Sequence, residues 1–204
     1  MSFWDEKYAV DAYLFGESPN VFLQEMLPQL PKGKALGIGE GEGRNAVFLA
    51  EHGFDVVGID ASAVGLAKAD ALAARRGVHI RTEVADLRQY EMAVDHYDVV
   101  SLFFCHLPQP LRTEVLQQAM RSLKVGGMLV MMLYNPEQRQ YQTGGPKDLA
   151  LLPTLSEIRA TLAPLEAVVA EEVVRELNEG INHQGASSVI QYLGRKPVAT
   201  AAAS

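Results

Sequence analysis

The sequence predicts an α/β fold: a mostly parallel sheet with helices on both faces, closed by an antiparallel hairpin. Three observations carry that prediction. From residue 34 to residue 134, short apolar runs alternate with helix-period segments, as in successive strand–crossover–strand units. The runs are nearly continuous in Val, Ile and Leu, as for strands buried on both faces. Near the end, two β-like stretches, 165–177 and 186–193, are separated only by residues 178–185. That connection is too short for a crossover helix, so the pair runs antiparallel at the sheet edge.

Residues 1–33 read as a helical preamble. Val21, Phe22, Leu23, Met26 and Leu27 are spaced for one helix face, and Ser18-Pro19 supplies a cap followed by an N1 proline. Pro28, Pro31 and Gly33 end it. Residues 34–39 form a short apolar strand interrupted by glycines, and 44–52 a helix stopped at Gly53. Residues 55–59 are a buried strand ending at Asp60. Ser62 caps the next helix, which runs to Arg76 and stops at Gly77. Residues 78–84 alternate like a strand, and 97–104 form another with Asp98 at its entrance. Pro110 at N1 opens a helix to about Lys124, and Gly126-Gly127 turns the chain into a strand over 128–134. A polar loop, 135–153, precedes a helix over about 154–162 and then the hairpin. The expected organisation is a helical lid segment over 1–33, one ligand-binding domain over 34–196 and a disordered tail over 197–204.

The chain has 204 residues, one domain's worth with a sizeable core. Its 48% hydrophobic and 21% charged residues exclude wholesale disorder. The formal net charge is −7, and the basic doublets Arg75-Arg76 and Arg195-Lys196 lie far apart. A nucleic-acid partner is therefore not expected. Cys105 is the single cysteine, so an intrachain disulfide and a cysteine-based zinc site are excluded. No spacing of His, Asp and Glu suggests a catalytic metal. Residues 1–7 lack a signal-peptide pattern and no apolar run is long enough to span a bilayer, so a cytoplasmic location without a membrane partner is expected.

The most informative stretch is Leu36-Gly37-Ile38-Gly39-Glu40-Gly41-Glu42-Gly43-Arg44-Asn45, which leaves a strand and enters a helix. Glycines there let the backbone turn tightly and let a ligand touch the main chain. At the end of the next strand, Asp60 is placed to accept hydrogen bonds from both ribose hydroxyls of an adenosine ligand. Two ligand classes share this logic. A dinucleotide is motivated by Gly41-x-Gly43-x-x-Ala46, and S-adenosylmethionine by Gly39-x-Gly41-x-Gly43. Glu40 and Glu42 would repel a pyrophosphate, whereas a sulfonium and an ammonium tolerate an acidic turn.

On these residues the chain resembles the class I S-adenosylmethionine-dependent methyltransferases, from about Leu36 to Lys196. The glycine turn matches the family's first motif and Asp60 its ribose-binding acid. Ala85-Asp86-Leu87 matches the motif that contacts adenine, with Asp86 on the exocyclic amine. Tyr97-Asp98-Val99-Val100 opens the fourth strand, and Leu123-Lys124-Val125-Gly126-Gly127 resembles the turn before the fifth. The resemblance implies a seven-stranded, Rossmann-like sheet whose closing hairpin inserts an antiparallel strand. Gly43-Arg44-Asn45, Gly53-Phe54-Asp55-Val56 and Tyr192-Leu193-Gly194-Arg195-Lys196 are similar to the tellurite-resistance methyltransferases and their small bacterial relatives. That likeness implies a thiol or a tellurium or selenium oxyanion as acceptor. One departure stands out: the family's acidic residue in the first strand falls on Gly37, where Glu40 or Glu42 is expected to substitute.

Methyl transfer from a sulfonium needs positioning and, for an amine or hydroxyl acceptor, a base. The base belongs at the carboxyl end of strand four, where Phe103, Phe104, Cys105 and His106 lie. His106 is the candidate base or substrate contact, and Tyr141, in the long loop after strand five, is expected to cover the methyl. Tyr13, with other preamble aromatics, and Phe103 are expected against the cofactor, with Ala61 beside Asp60. Cys105 reads as an inert buried thiol. His183 has no assignable role. The preferred function is methylation of a small molecule. The alternatives are an NAD(P)-dependent oxidoreductase and a non-catalytic S-adenosylmethionine-binding module. The oligomeric state is not readable from the sequence.

Overall fold

The computed structural model describes residues 3–141, 143–180 and 183–198. A seven-stranded sheet has the order β3-β2-β1-β4-β5-β7-β6. Its strands are β1 (Lys34–Ile38), β2 (Asp55–Asp60), β3 (Arg81–Val84), β4 (Tyr97–Phe103), β5 (Leu123–Tyr134), β6 (Glu166–Asn178) and β7 (Gln184–Arg195). The first five pair in parallel, and β7 runs antiparallel to both β5 and β6. The strand order reverses direction between β1 and β4. In an open α/β sheet such a switch point puts a crevice outside the strand carboxyl ends.

The apolar strands are continuous because both sheet faces are covered. Ala35, Val99, Met128, Val130 and Met132 join one buried cluster with Phe22, Leu23, Leu49 and Leu72. Leu36, Ile38, Val100, Leu129 and Met131 join the other with Leu116, Ile158 and Leu162. The first cluster is covered by α2 (Val21–Met26), α3 (Arg44–Glu51) and α4 (Ala63–Arg75), the second by α5 (Leu111–Ser122) and α6 (Leu155–Thr161). Ser62 caps α4 by accepting from Gly65 N–H, and Thr154 opens α6 with a full capping box to Glu157.

The structure corrects several boundaries. Among the described residues, the preamble is helical at α1 (Phe3–Tyr8) and α2, followed by a short 3-10 turn, Leu27–Gln29. Asn20, not Ser18, caps α2, because its side chain reaches Phe22 N–H. β3 begins at Arg81, so 78–80 is not strand. α5 stops at Ser122 and β5 starts at once. Gly126, at φ 79°, lets the chain change register so that Tyr97 pairs with Leu123 but Val99 with Met128. The polar loop after β5 carries two 3-10 turns, Pro136–Gln140 and Leu149–Leu151. Of the expected disordered tail, residues 199–204 lie outside the described residues. Among the described residues no helix is long and apolar enough to cross a membrane.

Candidate active site

The glycine turn leaves β1 at the switch point. Gly39 sits at φ 68°, and a Cβ there would lie 2.7 Å from Cys105 Sγ. Gly41, at φ 55°, lies as close under Tyr8, where a Cβ would meet the phenol oxygen at 2.5 Å. Only glycine fits these approaches. Gly39 and Glu40 donate their N–H groups to Ile59 O at 2.9 and 3.1 Å, which fastens the turn to the end of β2. Asp60 holds it from the side: Oδ2 accepts from Gly41 N–H and Oδ1 from Ser62 N–H, each at 2.8 Å. Each oxygen keeps further acceptor capacity. Burial raises the Asp60 carboxyl above its ordinary range, against the pull of these N–H donors.

Gly37 and Gly58 face each other across β1 and β2. Together they leave a hollow, and the Glu40 side chain folds back into it. A Cβ at Gly37 would overlap the Glu40 carboxylate, and one at Gly58 would lie 3.1 Å from its Cγ. Glu40 Oε2 accepts from Ala46 N–H, in the first turn of α3, at 3.1 Å. No described residue donates to Oε1. Burial pushes this carboxyl up to about 7, with Asp60 adding to the rise and the Ala46 N–H and Arg44 opposing it. An acid thus stands beside position 37 after all, delivered from position 40. Glu42 is committed elsewhere: buried, it pairs with Lys68 at 2.5 Å and accepts from Phe15 N–H at 3.4 Å.

The other expected cofactor residues fall into two groups. Gly39, Glu40, Asp60, Asp86 and Leu87 are half-buried along one sheet edge, with Phe104, Cys105 and His106 across from them. Gly41 and Gly43 are buried and Ala61 is exposed beside Asp60. Asp86 is gripped by Arg88, whose Nε lies 2.9 and 3.0 Å from its two oxygens. That pairing lowers its carboxyl to about 2. Tyr13 is turned onto α4: its hydroxyl donates to Lys68 O at 2.8 Å, and the Lys68 ammonium sits 4.9 Å from its ring centroid. Phe103 is buried in the first cluster, whereas Phe104, packed against that cluster, is only half-buried. Phe104 has φ 54°, a conformation bulky residues avoid and one that concentrates at functional sites.

His106 stacks on Tyr134, with ring centroids 5.6 Å apart and planes 10° from parallel. Its Nδ1 lies 3.2 Å from Leu151 O. A carbonyl only accepts, so Nδ1 carries the hydrogen and Nε2 presents a lone pair. Nε2 is buried without a partner among the described residues. Burial lowers His106 to about 4, keeping it neutral. His183 closes the cluster, with its ring 4.4 Å from Phe104, 4.8 Å from Phe15 and 5.7 Å from Tyr134. Its Nδ1 also lacks a partner, and burial lowers it to about 3. Cys105 is a half-buried thiol that desolvation pushes up to about 12, with no anionic character to offer. Tyr141 is half-buried, and its side chain makes no hydrogen bond or ring contact with described residues. Tyr134 is the tyrosine against His106.

Sequence reasoning missed Tyr134, His183 and the group that holds His183 in place. Arg44 pairs with Glu179 at 2.7 Å, both buried. Glu179 also accepts from Asn20 Nδ2 at 3.0 Å and Val21 N–H at 3.2 Å, and its own N–H donates to His183 O at 2.8 Å. Asn45 accepts from Asn20 N–H at 2.9 Å. The Arg44-Asn45 pair thus ties the preamble and the β6–β7 connection to the glycine turn. The available signal was topological. An antiparallel β7 beside β5 pairs Tyr134 with Val189, which brings the preceding connection to the same edge.

Comparisons with known proteins bear on the fold and the family. Residues 35–127 match a family described as a methyltransferase domain. A 2-heptyl-1-hydroxyquinolin-4(1H)-one methyltransferase from Mycobacteroides abscessus is 28% identical over 141 residues, 66% of this chain and 62% of that enzyme. The match thus spans less than two thirds of that relative. Among solved structures, one described as "Conversion of a Disulfide Bond into a Thioacetal Group during Echinomycin Biosynthesis" covers 97% of this chain and 93% of its own, with a TM-score of 0.77 and 18% identity. TehB from Haemophilus influenzae covers 95% of this chain and 66% of its own, with a TM-score of 0.72 and 18% identity.

Proposed function

We infer that this chain is a class I S-adenosylmethionine-dependent methyltransferase and transfers a methyl group to a small acceptor held at the His106–Tyr134–His183 cluster. The cofactor is S-adenosylmethionine, which supplies a methyl group on a positively charged sulfur. The residues fit that group. Gly39 is half-buried at the head of the turn, Asp60 keeps acceptor capacity for a diol, and Glu40 offers an uncommitted oxygen to a cation. By the resemblance, Asp86 and the Leu87 backbone are assigned to the adenine end. The observation that carries the reading is the neutral His106. Its partnerless Nε2 sits across the crevice from the glycine turn, with its tautomer fixed by Leu151 O.

His106 Nε2 takes the acceptor's proton as the methyl group moves. Phe104, Tyr134 and His183 position the acceptor and exclude water. A weakly basic imidazole suits an acidic hydroxyl, and aromatic walls suit a flat ring. The M. abscessus relative, whose name gives a hydroxyquinolone as substrate, supports a hydroxylated aromatic acceptor here. The thiol or tellurium-oxyanion reading rests on the sequence resemblance to the tellurite-resistance family. Among the described residues, the cations near the cluster are engaged, Arg44 by Glu179 and Arg112 by the carbonyls of Leu107 and Ala150, which disfavours an oxyanion. Thermal melting tests the cofactor. S-adenosylmethionine is expected to raise the melting temperature and NADH to leave it unchanged, whereas the reverse would restore the dinucleotide reading.

A further inference from the structure

Glu40 is a carboxyl group placed where its ionisation is costly. It occupies the hollow left by Gly37 and Gly58, accepts one hydrogen bond, from Ala46 N–H, and leaves Oε1 without a donor. The charged groups that face it are Asp60 at the end of β2, which opposes its ionisation, and Arg44 from α3, which favours it. A carboxylate desolvated beside a second carboxylate, with one N–H to support it, holds its proton until a cation arrives. Glu40 as a whole is half-buried, like Gly39 and Asp60 beside it, with Oε1 against Gly37.

We propose that Glu40 is a proton-linked counter-ion: on the acid side of neutrality the free protein carries it as the neutral acid, and binding of the cationic end of S-adenosylmethionine expels its proton to solvent. The inference rests on the cofactor assigned above and deepens it. The Glu40 O–H bond breaks, the proton passes to buffer, and the resulting carboxylate pairs with the ligand cation. Charge is conserved and no bond to the ligand forms. Because the proton must leave, affinity rises with pH until Glu40 is already ionised. With the group pushed up to about 7, binding is about tenfold weaker at pH 6 than above pH 8. His106 and His183, held near 4 and 3, do not titrate in this window.

Calorimetry of S-adenosylmethionine binding to the full chain, in buffers of different ionisation enthalpy, reads the proton directly. At pH 6 close to one proton is expected to leave per ligand bound, and almost none at pH 8.5. Glu40→Gln keeps an oxygen for Ala46 N–H, so α3 stays anchored. It is expected to release no proton, to bind independently of pH between 6 and 8, and to bind at least tenfold more weakly at pH 8. Should that variant melt early, the paired change Gly37→Asp with Glu40→Ala puts a carboxylate on the same hollow from β1. It is expected to regain binding. Proton release that persists in Glu40→Gln, or tight pH-independent binding by the natural protein, overturns the proposal. No binding by the natural protein at any pH would instead remove the cofactor assignment.

Discussion

At His106, a single carbonyl decides what the side chain can do. Leu151 O takes the Nδ1 hydrogen, so the lone pair faces the crevice. The cost appears in pH dependence. His106 is lowered from its ordinary 6.5 to about 4, so its contribution to stability is full above pH 6.5 and is lost as pH falls through 4. Glu40 runs the other way, contributing fully below 4.5 and losing that contribution as pH rises through about 7. Urea unfolding between pH 6.5 and 4 is expected to decline less steeply for His106→Gln than for the natural protein, and an identical slope would contradict the buried neutral imidazole. Asp60→Ala removes acceptors for a diol and should weaken S-adenosylmethionine binding by roughly 1–3 kcal/mol, read by calorimetry. The positions of Asp60, Glu40 and His106 in the fold were legible in the sequence because each stands at a strand end or in a glycine turn. Tyr134 and His183 were not, since their meeting depends on which strands are neighbours.

Between elements, the decisive joint is the one that Arg44 makes. α3 begins at Arg44, and that first residue reaches Glu179 beyond the end of β6 while Asn45 holds Asn20 ahead of α2. Removing one partner of a buried pair leaves the other charge uncompensated. Arg44→Ala is therefore expected to cost about 3–5 kcal/mol in chemical denaturation. A loss under 1 kcal/mol would show that Glu179 is not anchored this way. The strand and helix alternation was readable because both faces of each strand are apolar. The boundaries were less so: the register shift at Gly126 and the cap at Asn20 depend on contacts with β4 and Phe22 N–H that no local pattern announces.

For the whole molecule, the order β3-β2-β1-β4-β5-β7-β6 puts the glycine turn, Asp60, His106, Tyr134 and the β6–β7 connection at the carboxyl ends of the parallel strands. The glycine turn and Asp60 stand on one side of the switch point and the His106 cluster on the other, with the β6–β7 connection folded over by the antiparallel return of β7. The sequence predicted that hairpin from the shortness of its connection, and the structure adds that it delivers His183 to the site. The account's central claim is methyl transfer to a small hydroxylated aromatic with His106 as the base. The direct measurement follows label from methyl-tritiated S-adenosylmethionine into a panel of hydroxyquinolones, phenols, thiols, selenite and tellurite, for the natural protein and for His106→Gln. The account predicts label in a hydroxylated aromatic and its near-complete loss in the variant; label confined to thiols or oxyanions, or transfer undiminished in His106→Gln, would contradict it.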